Sequence, residues 1–148
     1  MERRKFLLNA GIFSAFAGVT QNSFATLNIE DKSNLQPFLL PATAPLEHND
    51  GMAVKVWVRS AMTGGIYSNI ECAVAPKKMG PPPHFHIALD ELMYVAEGTA
   101  SILIGDDVVE VQAGGWHLRP SGIQHTFWNA SDKPLRVYDM YFNQPLEE

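Results

Sequence analysis

Residues 81–91, PPPHFHIALDE, set His84 and His86 one residue apart, just ahead of the adjacent carboxylates Asp90 and Glu91. In an extended chain residues i and i+2 project to the same side. His84 and His86 are therefore predicted to point together into an interior, with Phe85 turned the other way into packing between layers. Two imidazoles so placed suit one metal ion, yet the same spacing also occurs in ordinary strand edges. A metal reading needs a carboxylate from just beyond the short turn and one more ligand from a distant strand.

On both sides of this stretch the chain reads as short strands. AVKVWVR (53–59) alternates Val54, Val56 and Val58 against Lys55, Trp57 and Arg59, a period of two. IYSNIECAVA (66–75) follows Gly64-Gly65, and ELMYVAEG (91–98) follows the proline loop. TASILIG (99–105) and VVEVQAG (108–114) flank Gly105-Asp106-Asp107, a hairpin signal. HTFWN (125–129) and LRVYDMYF (135–142) close the series around a turn at residues 130–134. No helical period is sustained after residue 50. Regular short strands with frequent turns predict an all-β sandwich or small barrel. Residues 26–50 carry Pro37, Pro41 and Pro45 with little apolar periodicity, and are predicted to form an extended arm ahead of a barrel domain at 51–148.

The distant ligand comes from GGWHLRPSGIQHTFWN (114–129), where His125 enters a strand after a turn built from Pro120, Ser121 and Gly122. At this point the chain closely resembles the cupin family and its two motifs. The first reads His84, His86, four residues, Glu91, six residues, Gly98; the second reads Gly114, five residues, Pro120, Gly122, two residues, His125, three residues, Asn129. Fifteen residues, one hairpin, separate Gly98 from Gly114. The resemblance implies a double-stranded β-helix, or jelly-roll barrel. It also implies His84, His86, Glu91 and His125 as ligands of one divalent transition metal, and it favours Glu91 over Asp90, which becomes a turn residue. Three neutral imidazoles and one carboxylate leave one or two coordination positions open and suit Mn, Fe, Co, Ni, Cu or Zn.

If Glu91 faces inward, Met93 and Val95 follow it, and if His125 does, Phe127 and Asn129 follow. Met93 and Phe127 then either wall a substrate pocket beside the metal or simply fill the barrel, and Asn129 is expected to satisfy backbone groups at the strand end. Arg119 shares a face with His117, opposite to Trp116 and Leu118. An arginine cannot sit unpaired in an apolar core. Arg119 therefore reaches solvent, pairs with a carboxylate, or binds an anionic or carbonyl-bearing substrate at the cavity mouth. Asp139 is a partner for Arg119 or Arg136, His117 is too weakly placed to be a fifth ligand, and His48 is expected at the surface of the arm.

Composition bounds the rest. The 148 residues, 46% hydrophobic and 18% charged, fit one folded domain, and the single cysteine, Cys72, excludes an internal disulfide or a cysteine-based metal cluster. The first 25 residues read as an export signal: Arg3, Arg4 and Lys5, then the mostly apolar run 6–19, then small residues at Ser23 and Ala25. RRKFLL (3–8) resembles the twin-arginine signal, whose route exports folded proteins with metal already loaded. The expected location is the periplasm or the extracellular space, with no membrane anchor left after cleavage. Three bases and one acid leave with the signal, so the 11 basic and 16 acidic residues become 8 and 15, a net charge of −7. With no basic run past residue 5, nucleic acid is an unsuitable partner.

The expected partner is a small organic molecule. Resemblance to quercetinase-like cupins points first to a dioxygenase-type oxidoreductase, in which Glu91 doubles as ligand and proton acceptor. A non-redox isomerase or lyase, and a binding protein without turnover, are the alternatives. The arm offers a route to a homodimer.

Overall fold

The structure, a computed structural model, describes residues 35–143. The predicted export signal (1–25) and the start of the arm (26–34) lie outside the described residues. Eight strands follow one another: β1 Met52–Val58, β2 Tyr67–Val74, β3 Asp90–Glu97, β4 Thr99–Ile104, β5 Asp107–Gln112, β6 Trp116–Arg119, β7 His125–Trp128 and β8 Leu135–Phe142. A 3₁₀ turn at Ser60–Thr63 separates β1 from β2. All strand pairs are antiparallel, in a five-stranded sheet ordered β1-β2-β8-β3-β6 and a three-stranded sheet ordered β5-β4-β7. The period-two pattern predicts a sandwich or small barrel, and the structure is the jelly-roll barrel that the family resemblance implies.

Alternation decides what fills it. Ile70, Cys72 and Val74 on β2, Met93 and Val95 on β3, and Leu135, Val137 and Tyr141 on β8 meet Ala100, Ile102 and Phe127 of the smaller sheet in one buried core. Full burial of each large apolar side chain is worth about 1.5–3 kcal/mol before the entropy of ordering the chain is subtracted. The β3–β4 connection depends on Gly98, whose φ is +81° and whose Cβ, if it had one, would lie 2.5 Å from the Pro134 carbonyl oxygen. No other residue fits both conditions.

β2 is unusual in being buried on both faces. Its outer side chains Glu71 and Ala73 lie beneath the arm, which carries no helix or strand over residues 35–49. The Leu46 amide donates to Glu71 Oε1 at 3.1 Å and the Trp57 indole donates to Oε2 at 2.8 Å.

Three expectations are corrected. His84 and His86 do not lie on a regular strand: residues 81–88 form an extended loop, joined to β7 by a single bridge between His84 and His125. Pro81, Pro82 and Pro83 have no N–H to offer, so a ladder cannot form across them. Phe85 is 62% exposed and packs into no second layer, because among the described residues none lies outside that loop. Asp90 is the first residue of β3, not a turn residue; its two carboxylate oxygens accept from the Ser121 amide and the Asn143 side chain and so tie β3 to neighbouring loops.

Candidate metal centre

The loop carrying His84 and His86 is anchored by main-chain bonds. His84 and His125 exchange both N–H···O bonds at 3.0 and 2.8 Å, Gly80 N–H donates to Phe127 O at 2.9 Å, and Gly122 N–H donates to His86 O at 2.7 Å. Gly80 permits this approach, since a Cβ there would lie 2.7 Å from the Phe127 carbonyl oxygen. The loop thus lies beside β7, and Glu91 faces it from β3 in the opposite sheet. One ligand atom from each of His84, His86, Glu91 and His125 lies within 4.8 Å of all the others. Among the described residues this is the one such group of histidine, cysteine and acidic side chains. His125 and Glu91 are buried, and His86 retains 16% exposure, so the centre opens on the side of the proline loop.

Tautomers follow from second partners. His84 Nδ1 lies 2.7 Å from the Pro82 carbonyl and His125 Nδ1 lies 2.9 Å from the Ile123 carbonyl. A carbonyl only accepts, so in the neutral rings Nδ1 carries the proton and Nε2 presents a lone pair. That lone pair on His125 faces Glu91 Oε1 at 3.1 Å. His86 Nε2 is closer still, 2.7 Å from the same oxygen, yet it lacks hydrogen-bond alignment and is buried without a partner. The His125 lone pair and the Glu91 oxygen face each other across a gap that a cation, a proton or a metal ion, would fill. Mixed nitrogen and oxygen donors without thiolate fit a divalent transition metal.

The far side of Glu91 is built differently. Glu91 pairs across the strands with Arg119, whose Nη2 lies 2.8 Å from Glu91 Oε2 and also contacts Asp139 Oδ1 on β8. Arg119 is 1% exposed, so of the three fates open to it in the sequence the structure shows pairing with carboxylates, and Asp139 is its partner. Burial raises the Glu91 pKa, but a hydrogen bond from His125, which requires a proton on Nε2, and the Arg119 charge outweigh it and hold the carboxyl below its ordinary range. Asp139 has no such surplus of partners, and burial pushes it up to about 6 against the pull of Arg119. Burial lowers the Arg119 pKa, yet the two carboxylates prevail and raise it, so the guanidinium stays charged.

Met93, Val95, Phe127 and Asn129 all turn inward with the ligands, as the alternation requires. Met93 and Phe127 belong to the core, and Phe127 lies with its ring centroid 5.7 Å from the Arg119 guanidinium carbon. Asn129 donates to the carbonyls of Val74, Ala75 and Lys133 and accepts from Ser131, closing the strand end as expected. His117 shares the inner face opposite Met93 but stands outside the four-residue group. His48 is half-buried in the arm rather than at its surface. Sequence reasoning missed the carbonyls of Pro82 and Ile123, whose signal was the turn residues ahead of each histidine, and the buried Glu71, which left no signal.

A jelly roll with three histidines and a glutamate gathered at one end defines the class, and the comparisons agree. The model of the cupin domain family matches residues 70–141, just under half of the chain. Three solved structures illustrate the likeness in fold. KdgF from a Halomonas species is 16% identical, with TM-score 0.55 over 64% of this chain and 82% of its own. A predicted oxalate decarboxylase from Thermotoga maritima is 15% identical, with TM-score 0.59 over 62% and 79%. A recombinant oxalate oxidase bound to glycolate is 21% identical, with TM-score 0.54 over 64% of this chain and 52% of its own. No curated protein sequence matches the chain.

Proposed function

We propose that this protein binds one redox-active divalent transition metal (Mn, Fe, Ni or Cu) on His84, His86, Glu91 and His125 and oxidises a small organic molecule with dioxygen outside the cytoplasm. The observation that carries the metal reading is the gathering of one ligand atom from each of His84, His86, Glu91 and His125 within 4.8 Å of all the others, with His86 Nε2 and His125 Nε2 both set against Glu91 Oε1. Three neutral imidazoles and one carboxylate leave a net charge of +1 on such an ion. Bound there, a redox-active metal supplies a Lewis-acidic centre with open positions for an enolate or phenolate and for dioxygen.

The chain's own groups support this use. Glu91 Oε1 faces the histidines and is the base within reach of an acidic substrate proton. Met93 and Phe127 give the barrel an apolar wall that excludes water from beneath the site. Exposed Phe85 and Ile87 flank the open side and offer apolar contact to an arriving aromatic molecule.

Protein purified from its native compartment, without added metal or a histidine tag, is expected to hold about one Mn, Fe, Ni or Cu per chain and to consume oxygen with a flavonol-type substrate. Product formed without oxygen assigns a non-redox isomerase or lyase instead, and zinc as the native metal removes the dioxygenase reading. Export through the twin-arginine route makes Mn or Fe the expected metal. That expectation fails if the same domain carries unchanged metal behind an unfolded-chain export signal.

A further inference from the structure

Arg119 is anomalous among the groups near the centre. It is a charged side chain wholly inside the barrel, 1% exposed. Replacing buried ion pairs by apolar residues of similar volume is often neutral or stabilising. The Glu91–Arg119–Asp139 array therefore has no evident advantage as a stabilising device. Its geometric consequence is specific. Arg119 Nη2 is held between Asp139 Oδ1 and Glu91 Oε2, while both histidine nitrogens approach Oε1 alone. The strand register enforces this, since Glu91 pairs with Arg119 on β6 and Met93 with Asp139 on β8. The Asp139 backbone carbonyl is itself fixed by the Asn69 side chain at 3.0 Å.

We propose that Arg119, braced by Asp139, is a positioning residue that withholds Oε2 of Glu91, so that the carboxylate serves the centre through one oxygen. This rests on the metal reading above and deepens it. With Oε2 withheld, the protein donates four atoms, and a six-coordinate ion keeps two places, as a substrate and dioxygen together require. A Glu91 free to turn would donate both oxygens and leave one place. Arg119 thereby sets how many exogenous molecules the centre accepts without touching either of them.

The test uses cobalt(II) as the probe, in full-length mature protein stripped of metal. Its visible d–d absorption reports coordination number, chelator competition gives the dissociation constant, and far-UV circular dichroism with the apo melting temperature reports the fold. Wild type is expected to bind one cobalt. Arg119→Leu is expected to weaken it about 10- to 100-fold, the usual effect of losing an outer partner of a ligand, and to change the band intensities as Oε2 joins. Arg119→Lys, which restores a positive charge near Oε2, is expected to recover part of both. Folded Arg119→Leu with wild-type affinity and spectrum, or with only a lowered apo melting temperature, overturns the proposal. If Arg119→Leu does not fold, Asp139→Asn decides: a shift in the same direction supports the brace, and an unchanged spectrum and affinity overturn it. A wild-type protein that binds no cobalt, zinc or manganese refutes the metal reading itself, a distinct outcome.

Discussion

Two glutamates sit on the same five-stranded sheet, one on each face, and both are buried: Glu71 at 0% and Glu91 at 3% exposure. Glu71, on the outer face of β2, meets only donors: the Leu46 amide, the Trp57 indole and, at 3.7 Å, the Arg136 guanidinium. Glu91, on the inner face of β3, gives one oxygen to Arg119 and crowds the other against two imidazole nitrogens. The first carboxylate is saturated and fastens the arm to the sheet. The second is satisfied on one side and in want of a cation on the other. Burial alone therefore does not mark a functional carboxylate; the sign of its neighbours does.

The largest expected effect separates the two outright. Glu91→Gln should weaken metal binding by more than about 100-fold, beyond the range for outer partners, with the apo fold kept; inductively coupled plasma mass spectrometry on folded protein reads it. Glu71→Ala should leave metal content at wild type and destabilise by about 1–3 kcal/mol, because the Leu46 amide and the Trp57 indole lose their acceptor while Arg136 keeps Glu97. Equal metal loss in both variants, read with urea unfolding of each, would erase the distinction. Chelation comes next: at a hundredfold excess of free metal over its dissociation constant, holo protein should exceed apo by about 2.7 kcal/mol, seen as a concentration-dependent melting temperature. Glu91→Gln should lose that dependence and Glu71→Ala should keep it. Trp57→Phe, which removes one donor from Glu71, should cost about 1.5 kcal/mol and no metal. Smallest is His117→Asn, expected to leave the cobalt affinity unchanged, since His117 stands outside the ligand group.

The same two residues show what a sequence can carry. Glu91 was legible because its spacing from His84 and His86 and its period with Met93 and Val95 are written locally, and the strands were legible for the same reason. Glu71 was not, because what buries it is an arm without periodicity, and nothing in residues 35–49 states which face it will cover. Arg119 lay between these cases. Chemistry demanded a partner, but the choice between Glu91 and Asp139 depends on inter-strand register, which no single segment contains. Phe85 and Asp90 were misplaced by treating residues 81–91 as a strand and a turn. The prolines leave a loop held by one bridge, so outward alternation has no second layer to meet, and β3 begins one residue sooner.

Those prolines have one more effect, on how the molecule behaves beside copies of itself. A sheet ending at a bare strand such as β7 would present a row of open amides and carbonyls to any passing chain. Here that border is occupied by the segment from Met79 to His84, bridged to Trp128 and His125, and three of the four positions between those bridges, Pro81 to Pro83, carry ring nitrogens with no hydrogen to donate. A foreign strand arriving there finds acceptors without donors and cannot continue the ladder. The segment that delivers two histidines also seals the small sheet against templated growth.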